Sequence, residues 1–197
     1  MAKRKISNTL ALALLGLLQE RPMHPYEMAT TLRERNKDTS FKVNSGSLYD
    51  TVQTLVRHGW IEPVETAREG RRPERTVYAH TGLGQQEFVR WVDELIRTPV
   101  AEYPKFMAAV SYLGALGPEG AAEALTARAA HLAASIEETR AALEETVGQV
   151  PRLFMIEVEC ALHAWEAELA WTRRTVEEIG TGALAWPRGW SWDGGAA

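Results

Sequence analysis

The sequence predicts a mainly α-helical protein with one small β-hairpin in its first half, on three observations. Apolar residues recur at spacings of three and four over most of the chain, the mark of helices buried on one face. Between Trp60 and His80 the pattern changes: two short β-prone runs, Trp60–Glu65 and Arg75–His80, flank a segment rich in turn formers. Charge is also divided, with 13 Lys and Arg against 9 Asp and Glu in residues 1–82, and 9 against 17 in residues 83–197. An acidic whole, at −4, thus conceals a basic first half. At 197 residues and 45% apolar content the chain can bury one or two cores without disulfides.

Lys3-Arg4-Lys5 followed by the apolar run Leu10–Leu18 imitates a secretory leader. The capping cluster Ser7-Asn8-Thr9, the abrupt stop at Gln19-Glu20-Arg21 and the lack of a small-x-small cleavage site argue otherwise. The run is also well short of the ~20 residues that span a bilayer. Leu10, Leu14, Leu17 and Leu18 share a helical face, so the segment reads as a core helix of a cytoplasmic protein with no membrane partner. Lys3-Arg4-Lys5 then becomes a basic arm. Pro22-Met23-His24-Pro25 breaks the chain, and Pro25 suits the first position of a second helix, about Tyr26–Asn36, that buries Met28, Ala29 and Leu32. Residues 36–40 form a polar turn.

The third helix, from Asn44 or Ser45 to Arg57, buries Leu48, Val52, Leu55 and Val56 and leaves Ser45, Ser47, Tyr49, Asp50, Gln53 and Arg57 on its other faces. Gly59 ends it. Gly46 in its first turn suits either close approach of a phosphate or packing against the preceding helix. The hairpin follows at once, its tip carrying Arg68, Arg71 and Arg72, with Arg75 at the start of the returning strand. Helix, helix, turn, helix and hairpin is the succession of a winged helix-turn-helix, which grips double-stranded DNA with its third helix and its wing. A winged helix used for protein contacts is the rival reading, favoured by Asp50 and the low net charge. Another helix, with Phe88, Trp91, Val92, Leu95 and Ile96, completes a DNA-binding domain over residues 1–97.

The second half predicts a helical dimerisation domain over residues 104–180. Leu125, Ala129, Leu132, Ile136, Thr139, Leu143 and Val147, then Val158, Leu162, Trp165, Leu169, Thr172, Val176 and Ile179, alternate spacings of four and three. Two such seams joined by a short turn form a helical hairpin, closed either within the chain or by a second subunit. Residues 181–197, with Trp186, Trp190 and Trp192 among Gly and Pro, form a tail that either folds back or stays disordered. Cys160, the only cysteine, reads as a small core residue. Scattered histidines and one thiol provide no metal-ligand spacing; no nucleotide loop or paired nucleophile and base is visible, so neither enzyme nor cofactor is expected.

Leu14-Leu15-Gly16-Leu17-Leu18, His24-Pro25-Tyr26-Glu27, Gly46-Ser47-Leu48-Tyr49 with Leu55 and Gly59-Trp60-Ile61, and Tyr78-Ala79-His80-Thr81 with Gly84 together resemble the PadR family of bacterial transcriptional regulators over about residues 7–96. Two residues depart from that pattern: His80 where an aliphatic residue is usual, and Asp50 where proline is frequent. Asp50 repels phosphate, so it pairs with a nearby arginine, caps locally, or accepts from a cytosine amine. The resemblance implies a homodimeric repressor of a neighbouring operon on a roughly palindromic operator, relieved in many members by a small aromatic effector. Carried onto this chain, the DNA-facing residues are Tyr26, Ser45, Ser47, Tyr49, Gln53, Arg71, Arg72 and Arg75. Tyr26 and Tyr49 would set position and Gln53 would contact a base; the alternative for Tyr49 is a ring packed under the wing with only its hydroxyl at phosphate. A pocket between the two domains lined by Trp91, Phe106 and Trp165 is the candidate effector site.

Overall fold

A nearly all-apolar helix lies at the centre of the first unit, and the other elements are laid around it. The computed structural model describes residues 6–35, 45–67 and 75–187, and the chain divides into two units, Met1–Ala101 and Glu102–Ala197. Helix α1 (Thr9–Leu18) buries Leu10, Ala11, Leu14, Leu15, Leu17 and Leu18, more than one face, as expected of a helix apolar all round. Asn8 caps it, its Oδ1 accepting from Leu10 N at 3.0 Å. Helix α2 (Pro25–Glu34) adds Met28, Ala29 and Leu32, and α3 (Ser45–Arg57) adds Leu48, Val52 and Leu55 to the same core. Each such Met, Leu or Val side chain, fully buried, contributes about 1.5–3 kcal/mol.

Gly59, at φ 69°, ends α3 in the left-handed conformation and turns the chain into β1 (Ile61–Ala67). Strand β2 (Arg75–His80) returns antiparallel, with Ile61 opposite His80 and a register irregularity between Pro63 and Glu65. Such an irregularity accommodates a proline, which has no N–H for the ladder. Met23 adds a one-residue bridge on the far side of β2, exchanging both backbone hydrogen bonds with Tyr78 at 3.0 Å. Helix α4 (Gly82–Arg97) then packs Trp91 edge-on against Trp60, ring centroids 6.3 Å apart. Its Val89 and Ile96 are exposed.

The second unit consists of α5 (Lys105–Val110), a 3-10 turn at Leu113–Leu116, and two long helices, α6 (Gly117–Thr146) and α7 (Ile156–Thr181), which form an antiparallel hairpin. Ala121, Leu125, Ala129 and Ile136 of α6 and Leu162, Thr172, Thr175 and Ile179 of α7 are buried. The two threonines satisfy their hydroxyls on their own helix, donating to Glu168 O and Trp171 O. Of the tail, Trp186 folds back: its Nε1 donates to Gly114 O at 3.0 Å and its ring packs on the cluster around Leu125. Trp190 and Trp192 lie outside the described residues.

Cys160 corrects one expectation. It is exposed, not a core residue. It stands two positions from both Val158 and Leu162, about 200° of helical rotation from each, so the seam turns it to solvent. Among the described residues no helix is long and apolar enough to cross a membrane, and no group of His, Cys, Asp and Glu could hold a metal ion.

Candidate nucleic-acid interface

Helix α3 is held from below and open above. Leu48, Val52 and Leu55 are buried, whereas Gly46, Tyr49, Asp50, Gln53 and Arg57 are exposed. At 100° per residue, Gly46, Asp50, Gln53 and Arg57 form one ridge opposite the buried face, and Tyr49 flanks it. Ser47, half-buried, lies off that ridge towards the side where Thr51 is buried. Ser45 is the first residue of the helix, and its side chain lies outside the described residues.

Thr51 is an anchor that sequence reading missed. Its hydroxyl donates to Ser47 O at 2.6 Å and accepts from Asn8 Nδ2 at 3.3 Å, so the residue that caps α1 also fixes α3. The signal was present in its spacing, three from Leu48 and four from Leu55, but a hydroxyl does not announce burial. A second chain runs along the open side. Thr54 Oγ1 donates to Asp50 O at 2.8 Å and accepts from Arg57 Nη2 at 2.9 Å, which lays the guanidinium back along the helix.

Tyr26 is 68% exposed in the first turn of α2. The turn is built by Pro25 and by His24, whose Nδ1 accepts from Tyr26 N at 3.1 Å. Nearby acids are neutralised. Arg21 bonds Glu27 and Arg35 bonds Glu20, and each arginine holds its partner carboxylate below the usual range. Arg57 is the cation of the ridge, and among the described residues no acid pairs with it.

Arg71 and Arg72, with Arg68 and Lys3-Arg4-Lys5, lie outside the described residues, and Arg75 is described only as the first residue of β2. The base of the hairpin is well defined. His80 Nε2–H donates to Leu15 O at 2.7 Å, which fixes the neutral tautomer, and among the described residues Nδ1 is buried without a partner. Burial pushes this imidazole below its ordinary value, and the bond to Leu15 only partly offsets it.

Of the three aromatic effector candidates, Trp91 belongs to the first unit and Phe106 and Trp165 to the second. Trp91 is buried in the first unit against Trp60. Phe106, on α5, stands edge-on to Trp171 at 5.9 Å and carries the Arg128 guanidinium 3.5 Å above its ring, with Arg128 also paired to Glu168. Trp165 is half-buried on α7. Trp171 and Arg128, which complete the setting of Phe106, were not marked as such by the sequence. They are separated by 43 residues and meet only because α6 and α7 run antiparallel.

Residues 14–90 match the model of the transcriptional regulator PadR-like family. Among solved structures, the chain is similar to Bacillus subtilis PadR in complex with operator DNA (20% identity, 87% of this chain and 99% of that chain, TM-score 0.72). It is similar to Bacillus subtilis PadR in complex with p-coumaric acid (18%, 88% and 99%, TM-score 0.71). It is also similar to the Vibrio cholerae virulence activator AphA (16%, 87% and 98%, TM-score 0.65). No curated protein matches the sequence. Residues 14–90 are therefore a PadR-like transcriptional-regulator domain in the winged-helix fold.

Proposed function

We propose that the protein is a homodimeric, sequence-specific DNA-binding repressor in the cytoplasm, relieved by a small aromatic effector. The observation that carries the reading is the α3 ridge: Gln53 and Arg57 stand exposed in line on a helix whose opposite face is locked by Leu48, Thr51, Val52 and Leu55. A rigid helix with a polar edge is what a major groove admits. Gln53 takes a base, Tyr26, Ser45, Ser47 and Tyr49 set position on the backbone, and Arg71, Arg72 and Arg75 supply the wing's phosphate contacts. The operator complex of Bacillus subtilis PadR supports the partner, and the p-coumaric acid complex supports an aromatic effector.

Dimerisation is supported by apolar side chains left exposed on the second unit: Met107, Tyr112, Leu116, Val147, Leu153 and Phe154. Two copies on a two-fold axis present two α3 helices to a palindromic operator. The effector assignment of Trp91, Phe106 and Trp165 is tested by quenching of tryptophan emission with a panel of planar aromatics. AphA, a virulence activator, favours a second reading in which the same DNA contacts raise transcription. The sign of a reporter fused to the bound promoter decides between the two.

The test of the main reading is a gel shift on the chain's own upstream region at low ionic strength. Gln53→Ala should relax base preference by about 1–3 kcal/mol, while Arg72→Ala should weaken all duplexes alike and lower the salt slope by about one. Identical behaviour of both variants on specific and random duplexes refutes the assigned roles; no shift by the wild type refutes DNA binding.

A further inference from the structure

We infer that Asp50 is a specificity-determining residue that reads a cytosine in the major groove, beside the base read by Gln53. The inference rests on the DNA-binding reading above and deepens it. Asp50 stands exposed on the α3 ridge, between Gly46 and Gln53. A carboxylate aimed at DNA repels phosphate, so it needs a reason to be there.

One of its three explanations fails on the structure, and another is not met among the described residues. Among the described residues no hydrogen bond or salt bridge reaches the Asp50 carboxylate, so it is not one half of an ion pair there. It is not a local cap either: α3 begins at Ser45 and has no acid in its first turn, so Asp50 lies beyond the stretch where the helix dipole rewards negative charge. The Thr54 hydroxyl bonds Asp50 through its main-chain oxygen, not its carboxylate. An acceptor-only group is left facing outward on a fixed helix.

The chemistry of the groove then selects its partner. Guanine presents two acceptors in the major groove, thymine an acceptor and a methyl, and adenine an acceptor beside its amine. Cytosine alone presents a donor, N4–H2, with no acceptor on the same base, so it is the base a carboxylate meets without repulsion. Asp50 and Gln53 are three residues apart, about 4.5 Å along the helix axis, against about 3.4 Å between successive bases of a strand. They therefore address neighbouring base pairs. The same charge penalises non-cognate duplexes, since it meets acceptors or phosphates on most of them.

The experiment is selection of bound sequences from a randomised duplex pool by the full-length wild type, by Asp50→Ala and by Asp50→Asn, followed by competition binding on the selected sites. The wild type should prefer C·G at one position of each half-site, next to the position lost in Gln53→Ala. Asp50→Ala should lose that preference by about 5- to 150-fold while keeping the others, and should bind random duplex more tightly. Asp50→Asn should move the preference at that position to adenine, which asparagine bonds bidentately. Asp50→Ala selecting the wild-type site unchanged, with tighter binding to every duplex alike, overturns the assignment and leaves DNA binding intact. A wild type that selects no site overturns both.

Discussion

Replacing Gly84 by alanine tests how the recognition helix and wing are joined to the rest of the first unit. A Cβ built on Gly84 would sit 1.8 Å from the carbonyl oxygen of Trp60 and 2.7 Å from its carbon. Ordinary contact begins near 3.4 Å, so the first turn of α4 must retreat from the chain after α3 by roughly 1.5 Å. The obstacle is backbone and cannot swing aside as a side chain can. Three hydrogen bonds cross or brace this joint: Thr81 N to Trp60 O at 3.1 Å, Thr81 Oγ1 to Gly59 O at 2.6 Å, and Gly84 N to Thr81 Oγ1 at 3.0 Å.

Losing the Thr81 cap costs about 1 kcal/mol and losing the bond to Trp60 about another. Overpacking where Trp60 meets Trp91 adds about 1–3 kcal/mol. Alanine's better helix propensity returns about 1 kcal/mol, so the net loss is about 2–4 kcal/mol. For a unit of this size each kcal/mol lowers the melting temperature by about 4–8 °C, so a fall of at least about 8 °C should be seen by far-UV circular dichroism. Gly82→Ala is the control, because a Cβ there meets nothing within 4 Å and its φ is unexceptional. The control should melt with the wild type or slightly above it. Gly84→Ala melting together with Gly82→Ala would refute the close approach.

Further outcomes concern the hairpin base and the tail. Because burial holds the folded His80 below its ordinary value of 6.5, the unfolded chain takes up the proton first, so stability should be lost as pH falls through 6.5 and below. His80→Gln should flatten that part of the profile of unfolding midpoint against pH; an unchanged slope would show that His80 titrates alike in both states. Trp186→Ala should cost the second unit about 1–3 kcal/mol, read as a lower denaturant midpoint at unchanged slope, whereas Trp186→Phe should lose chiefly the bond to Gly114 O, about 1 kcal/mol. Equal losses in the two variants would place the stabilisation in the hydrogen bond and not in the ring.

The helices were legible because their information is local. Leu48, Val52 and Leu55 repeat on one face whatever they pack against, and Pro25 and Gly59 mark a start and a stop by their own backbone preferences. The hairpin was legible for the same reason. What escaped was decided at a distance. Met23 pairs with Tyr78 across 55 positions, and no pattern in Pro22-Met23-His24-Pro25 encodes a one-residue strand. Cys160 was misplaced because an apolar neighbourhood in sequence was read as burial, although helical phase puts it on the outside.

The candidate site divides along the same line. Phase alone places Gln53 and Arg57 on the open ridge, and that is sufficient to nominate them. Phase cannot say that Arg57 is turned back onto Thr54, or that the Asp50 carboxylate has no partner among the described residues, because both depend on rotamers and on what the rest of the fold brings near. His80 illustrates the difference most sharply. In the sequence it is only an unusual residue before a threonine. In the fold it donates a hydrogen bond to Leu15 O in the last turn of α1, its other ring nitrogen is buried without a partner among the described residues, and burial holds the imidazole below its ordinary value. A substitution that sequence comparison can only register as a departure acquires a physical consequence once the carbonyl of Leu15 is seen opposite it.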